Sequence, residues 1–443
     1  MRGVIALLVV GFLFVSISVI YPTVRSEEPV GNILYVGGSG SGNYSSIQGA
    51  IDNASEVDTI FVYNGTYYEN VVVNKTVNLL GENNITTIID GSNKGIVLEI
   101  NAGWVNISGF TIKNSYNDSA AIEINSNWNT IFNNIITNND LHGIYISFSS
   151  NNTISNNIIS NNLGMGLGLW ESPDTKIVEN TVINNRYRGI DLTFSDNSII
   201  LNNIIIGNNY SGIGLGSSDY CKIFGNNISN NAGDYEAGVY LQGAEHNEIY
   251  NNSIINNHLF GIELFKGCSL NSIYLNDILE NQDCGMIITT SSNNEIYKNN
   301  IQDNKVAGIF VDDWFFPPRS DYGLDPGAPA SNNTIYLNNF LNDTAVDELN
   351  NTWFNNTLKE GNYWYDYNGS DKNNDGIGDT PYNIPGGNNQ DRYPLMMPYD
   401  GTIRLKEFYV DYGSVFTMLI IGMIIIIIFL LPIAYIWYKK GWR

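Results

Sequence analysis

Asn129-Thr130-Ile131-Phe132-Asn133-Asn134-Ile135-Ile136-Thr137-Asn138-Asn139 runs on to Gly143-Ile144-Tyr145-Ile146. The same phrase returns 23 residues later as Asn152-Thr153-Ile154-Ser155-Asn156-Asn157-Ile158-Ile159-Ser160-Asn161-Asn162, then Gly166-Leu167-Gly168-Leu169. The unit is Asn-x-Ile-x-x-Asn-x-Ile-x-x-Asn, closed by a glycine and alternating apolar residues. Its first isoleucine is read at Ile131, Ile154, Ile177, Ile199, Ile223, Ile249, Ile273, Ile296 and Ile335, in steps of 23, 23, 22, 24, 26, 24, 23 and 39 residues. Three residues after each stands Asn134, Asn157, Asn180, Asn202, Asn226, Asn252, Asn276, Asn299 or Asn338. Two further on the side chain is apolar: Ile136, Ile159, Val182, Ile204, Ile228, Ile254, Ile278, Ile301 or Phe340.

Such periodicity means that one supersecondary unit stacks on the next. A leucine-rich repeat shares the length, but each unit here holds three short pieces of two-residue alternation and no helical period. Three strands per coil follow, each lying on its predecessor at ~4.8 Å. The isoleucines point inward. The asparagine column sits where the chain bends, since Asn tolerates left-handed backbone angles, and its amides can bond from coil to coil. Upstream, Ile33 to Ile112 reads as less regular strands. Ser45-Ser46-Ile47-Gln48 before Gly49-Ala50-Ile51 reads as a helix start that covers the first open coil.

The formal charge is −23, from 44 Asp and Glu against 21 Lys and Arg, which argues against nucleic acid as a partner. The 3 cysteines, Cys221, Cys268 and Cys284, have neither the even count of a disulfide framework nor zinc spacing. They read as three buried thiols, with one disulfide as the alternative. Residues 1–26, apolar behind Arg2, read as a signal peptide or signal anchor. Residues 414–437 include Ile424-Ile425-Ile426-Ile427-Ile428 and suffice for a transmembrane helix; Lys439, Lys440 and Arg443 place the 438–443 tail in the cytoplasm. The intervening coils at 31–357, a C-terminal cap at 358–400 and a linker at 401–413 then lie outside the cell membrane, with Asn-x-Ser/Thr sequons open to glycosylation.

These residues resemble the right-handed parallel β-helix superfamily, and within it the NosD-like proteins with CASH-type repeats, of the pectin-lyase-like fold. The fold class implied is all-β: a right-handed parallel β-helix with three-strand coils of about 22–26 residues, followed by the transmembrane helix. Gly361-Asn362-Tyr363-Trp364-Tyr365-Asp366-Tyr367 and Asp375-Gly376-Ile377-Gly378-Asp379-Thr380-Pro381-Tyr382 are similar to a segment of archaeal cell-surface members, which implies an archaeal surface protein. The likeness to NosD also implies copper-maturation accessory work. Copper needs soft or imidazole ligands, whereas His142, His246 and His258 fall at three different positions of the repeat.

Three constellations bear on function. Asp371, Asn373, Asp375, Ile377 (through its carbonyl) and Asp379, with Gly376 at the turn, match a calcium loop of the dockerin or thrombospondin kind. Tyr382 stands where an EF-hand has Glu, and Asp366 or Asp391 could supply the missing carboxylate. The ion expected is structural calcium. Secondly, the residue after each Gly-Ile faces outward, giving Glu123, Tyr145, Gly168, Asp191, Gly214, Tyr240, Glu263, Ile287 and Phe310. Beside them run Asn125, Ser147, Trp170, Thr193, Gly216, Gln242, Phe265, Thr289 and Asp312. Aromatic platforms, hydrogen-bonding carboxylates and hollows at glycine describe a groove for an extended glycan, drawn from Glu123, Tyr145, Trp170, Asp191, Tyr240, Glu263 and Phe265. Asp191 and Glu263 are three coils apart, ~14 Å at ~4.8 Å per coil, too far for paired glycosidase carboxylates. Neither column offers the Lys or Arg a lyase needs. Thirdly, the 39-residue step inserts Trp314-Phe315-Phe316-Pro317-Pro318 and Tyr322-Gly323-Leu324-Asp325-Pro326. The latter resembles the Tyr-Gly-Phe-Asp-Pro-His motif of alginate C5-epimerases, matching Tyr322 and Asp325 to its catalytic pair but with Gly327 in the histidine's place.

The sequence therefore points first to a membrane-anchored protein that binds glycans or surface partners, transporter subunits included, without chemistry. A polysaccharide-active enzyme (lyase, hydrolase or epimerase) and a NosD-like copper accessory protein are the alternatives.

Overall fold

Strands of three residues dominate because only the central one must point inward: Thr130–Phe132 buries Ile131 alone, and Thr153–Ser155 buries Ile154 alone. A computed structural model describes residues 31–231, 233, 236–312 and 329–399. Its strands fall in rotation into three parallel sheets of 13, 13 and 12 strands, each strand pairing with its counterparts one coil away. The first sheet runs from Ile33–Val36 to Thr334–Tyr336, the second from Gly65–Tyr67 to Tyr363–Trp364, and the third from Val71–Val73 to Ala345–Asp347. Buried Ile, Val and Leu of all three make one continuous core, and each fully buried aliphatic side chain stabilises by about 1.5–3 kcal/mol.

Register corrects the reading of one coil. Ile177 pairs with Ile200, not Ile199, and Ile200 with Ile223. Ile205, not Ile204, then faces inward beside Val182, and the ladder amide is Asn203, while Asn202 is exposed. The cause is local: Ile199-Ile200-Leu201 and Ile204-Ile205-Ile206 are apolar on both faces, so alternation leaves their register open.

The ladder asparagines do not take the left-handed angle themselves. That conformation belongs to the residue before each: Asn133, Asn156, Glu179, Asn202, Gly225, Asn251, Leu275, Lys298 and Leu337, with φ between 53° and 69°. The ladder residue is instead buried and saturated with hydrogen bonds. Asn203 donates its N–H to Asn226 Oδ1 at 2.9 Å, and its Nδ2 donates to that same oxygen and to the carbonyls of Ile177 and Leu201. Its own Oδ1 accepts from the N–H and Nδ2 of Asn180.

A second ladder runs through Asn139, Asn162, Asn185, Asn208, Asn231, Asn257, Asn281 and Asn304. A third passes through Asn247, Asn271, Asn294, Asn333 and Asn351. In all three each amide donates to the side-chain oxygen of the next coil, and at the C-terminal end no further asparagine follows to accept. Each ends on an aspartate: Asn362 on Asp391, Asn304 on Asp343, and Asn351 on Asp347. An ionised carboxylate accepts without donating, which suits it to the last rung. Trp364 and Trp353 donate their indole N–H groups to Asp391 and Asp347 at 3.0 and 2.7 Å.

The N-terminal end is covered by the helix Ile47–Asn53, whose N-cap Ser46 accepts from Gly49 N at 3.1 Å and which packs on the first strands of the first and third sheets. Lys75 Nζ donates to the helix's last carbonyls, Ile51 and Asp52, and to Ala54 O just beyond it. At the other end Tyr363–Trp364 adds a last strand to the second sheet, and Phe340, Trp364 and Tyr382 stack at 4.2 and 4.3 Å. Cys221, Cys268 and Cys284 are free and buried. Among the described residues no helix is long and apolar enough to cross a membrane. The segments expected at 1–26, 401–413, 414–437 and 438–443, and the insertion carrying Trp314, Tyr322 and Asp325, lie outside the described residues.

Candidate ligand-binding face

The outer face of the third sheet carries the expected columns in register. Glu123 pairs with Tyr145, Tyr145 with Gly168, Gly168 with Asp191, Asp191 with Gly214, Gly214 with Tyr240 and Tyr240 with Glu263. Ser147, Trp170, Thr193, Gly216, Gln242 and Phe265 align beside them. One member escaped the sequence reading: Glu99 is the partner of Glu123, one coil earlier. It lies upstream of the regular repeat, which begins with the coil of Ile131, so the period gave no cue.

Access divides the face. Glu99, Glu123 and Tyr145 are partly exposed and Trp170 is 38% exposed, whereas Asp191, Tyr240 and Glu263 are buried. The expected hollows are filled. A Cβ on Gly214 would meet Asp191 Oδ1 at 2.6 Å and Arg188 Cδ at 2.9 Å, and one on Gly168 would meet Tyr145 and Met165 at 3.2 Å. The missing cation is here as well: Arg188, from the turn before the strand, lies across Gly214. Its Nη1 donates to Asp191 at 2.6 Å, while Nε and Nη2 hold Glu236 at 3.0 and 2.6 Å, and the guanidinium sits 5.0 Å from the Tyr240 ring. Burial works to raise Glu236, but the hydrogen bonds and charge of Arg188, with Ser211, hold its carboxyl below the usual value. Burial pushes Asp191 up against the opposing pull of Arg188. Every guanidinium nitrogen is engaged, so this cluster is an internal brace.

His142 lies beside it. Burial depresses its pKa to about 4, so the ring is neutral at pH 7. Nδ1 accepts from Met165 N at 3.0 Å, and the ring stacks on Tyr145 at 5.3 Å.

Two aromatic side chains that no column predicted extend the face along its edge. Phe148 and Phe194 occupy the left-handed turn position after the strand, 72% and 49% exposed. Phe194 meets Trp170 edge to face at 5.4 Å, an arrangement that leaves ring faces open to solvent. The first sheet differs: Phe224, Tyr250, Tyr274, Tyr297 and Tyr336 stack at 4.8–5.3 Å with nearly parallel planes. There each ring covers its neighbour, and the inner faces are unavailable to a ligand.

Among the described residues copper ligands do not gather. His142 Nδ1 is occupied, His246 stacks on Tyr220, and burial pushes the Cys221 and Cys268 thiols up to about 12 and about 11. Cys221 and Cys268 donate their N–H groups to Asn247 and Ser291, in two different columns. Among the described residues no three His, Cys, Asp or Glu side chains are gathered as a metal cluster.

The acidic loop folds tightly on itself. Asp371 accepts from the N–H of Asp375 and Gly376, Asp375 from that of Ile377, and Asp379 from that of Lys372, with Gly376 at φ 86°. The carboxylates of Asp371, Asp375 and Asp379 and the Asn373 amide remain at the surface. Asp391 is no candidate for this loop, since it is buried and terminates a ladder.

A parallel coil of three sheets with an aromatic-edged outer face defines the class, a β-helix protein. The family model described as periplasmic copper-binding protein (NosD) matches residues 51–260, and that for a right handed beta helix region matches 216–375. Together with the coiled sheets, the two matches mark the chain as a right-handed β-helix protein that is NosD-like over residues 51–260. The sequence matches no curated protein. Among solved structures it is similar to the Eubacterium ramulus GH136 lacto-N-biosidase, with 9% identity, 63% of this chain and 64% of that one covered, and TM-score 0.50. It is also similar to the Azotobacter vinelandii mannuronan C-5 epimerase AlgE6 A-module, with 14% identity, 72% and 88% covered, and TM-score 0.49. Identities this low speak for the fold alone.

Proposed function

We propose that this chain is a membrane-anchored surface protein whose β-helix binds glycan chains along the outer face of the third sheet. The observation that carries the reading is the exposed aromatic edge of Phe148, Trp170 and Phe194 beside Glu99, Glu123 and Tyr145. Ring faces take the apolar side of a sugar, and carboxylates accept its hydroxyls. A glycan array probed with the full-length protein and with Trp170→Ala tests it. Binding that the substitution weakens about tenfold, the loss of roughly 1.4 kcal/mol, supports the face. No binding by the intact protein turns the reading toward a protein partner on the cell surface.

The anchor is part of the proposal. The 414–437 run and the basic residues after it support a single-pass protein with its β-helix outside and its tail cytoplasmic. Protease protection of a C-terminal epitope in sealed cells is the expected result, and a cleavable epitope contradicts it. For the 371–379 loop, calcium held by Asp371, Asn373, Asp375, Ile377 and Asp379 is proposed as a structural ion. Calcium should raise the melting temperature over that in EDTA, and Asp371→Asn should abolish the difference.

A second reading has an observation of its own. Glu99 and Glu123 sit on adjacent coils, ~4.8 Å apart, near the separation of retaining-glycosidase carboxylates. Burial and the charge of Glu99 both raise the Glu123 pKa, as an acid catalyst requires. Release of reducing ends from a bound glycan, lost in Glu123→Gln, would convert the binder into a hydrolase.

A further inference from the structure

Over the coils from Glu99 to Ser217 the accessible part of the third-sheet face carries one sign of charge; Lys266 stands in the same turn row only two coils further on. Glu99 and Glu123 are direct register partners, and Asn101 Nδ2 holds Glu99 Oε1 in place at 2.9 Å. Glu171 follows Trp170 at the exposed edge. Among the described residues, the three rows Glu99–Glu123–Tyr145–Gly168–Asp191–Gly214, Asn101–Asn125–Ser147–Trp170–Thr193–Gly216 and Phe148–Glu171–Phe194–Ser217 contain no Lys or Arg. Arg188 leans onto the face from outside these rows, but Asp191 and Glu236 absorb its charge. The burial that lifts Glu123 adds to the penalty for a second anion nearby.

We infer that this face selects uncharged glycan chains and excludes polyuronates, with Glu99 and Glu123 as the specificity-determining residues. The inference rests on the glycan-binding reading and narrows its substrate class. A neutral chain offers hydroxyl donors to both carboxylates and apolar ring faces to Trp170 and Phe194. A uronate chain sets a carboxylate against the Glu99–Glu123 pair on every sugar, without a cation in the rows to neutralise it. Discrimination then comes from a repulsive element built into the site.

The test measures binding of the full-length protein to a neutral β-glucan and to polygalacturonate of matched length, at low and high salt. The glucan should bind at least about tenfold more tightly at low salt, with the gap closing as salt screens the carboxylates. Glu99→Gln/Glu123→Gln should raise polygalacturonate affinity about tenfold, with its melting temperature confirming that it folds. Equal or tighter polygalacturonate binding by the unaltered protein overturns the selectivity while leaving the glycan-binding reading intact. An unchanged polygalacturonate affinity in the double variant overturns the role of the two glutamates. Binding of neither polymer removes the glycan reading, and the inference with it.

Discussion

The interior asparagine ladder and the outer face of the third sheet are built on the same coils, yet they obey opposite rules. Inside, Asn134 through Asn362 keep one residue type because each amide must both accept from the coil before and donate to the coil after. Outside, the aligned column passes from Glu99 and Glu123 through Tyr145, Gly168 and Asp191 to Tyr240. No amide has to be passed from coil to coil along that column, so its residue type changes from rung to rung. The difference teaches that a repeat constrains what neighbouring coils share and leaves free what they do not, and the free surface is where a ligand can be accommodated.

Breaking the interior should have the largest effect. Asn203→Leu strands the N–H donor of Asn180, whose Nδ2 keeps the carbonyls of Ile154 and Val178, and each buried donor left unpaired costs about 1–3 kcal/mol. A large fall in melting temperature is expected. Asn202→Leu, one residue away, should change stability by less than about 1 kcal/mol, because Leu275 and Leu337 already occupy its left-handed row. Equal losses in the two variants would falsify the ladder register.

Next in size is the end of the ladder. Asp391→Ala leaves the Asn362 N–H and the Trp364 indole without their acceptor, again about 1–3 kcal/mol for each. Loosening should be confined to the C-terminal cap, as faster amide exchange beyond Phe340 with coils around Ile177 unaffected.

The terminal aspartates also tie stability to pH. Burial raises Asp343 to about 7 and Asp391 to about 6, while the unfolded carboxyls keep their ordinary lower values. The folded state therefore takes up protons first, and stability rises as pH falls from about 8 toward about 4. Asp343→Asn keeps an acceptor for Asn304 and should flatten the upper part of that profile. An unchanged profile would show that other groups govern it.

The smallest effect on stability belongs to the face. Trp170→Ala should shift unfolding by less than about 1 kcal/mol, since the side chain stands on the outer face and outside the core, while weakening glycan binding. A substitution that costs stability and spares binding would place Trp170 with the interior instead.

How much of this was legible follows from the same contrast. The strands, their order and eight of nine ladder asparagines could be read because each is repeated. Coil 190–212 could not, because the Ile199-Ile200-Leu201 and Ile204-Ile205-Ile206 runs fit either face. The left-handed turn was misplaced by one residue, since Asn stands at both positions in several coils and only backbone geometry separates the roles. Glu99 hid in an irregular coil. Phe148 and Phe194 hid in a turn whose residue type varies freely.

By itself the sequence determined a three-strand parallel coil with an isoleucine core and stacked amides, because hydrophobic alternation and period are properties of the chain read in order. The tertiary structure alone decided that Arg188 crosses Gly214 to brace Asp191 and Glu236. It alone showed that Asp343, Asp347 and Asp391 end the ladders, and which part of the outer face stays open. Those contacts join residues 3 to 48 positions apart that follow no period, and their energies depend on burial and charge that exist only once the coils are stacked.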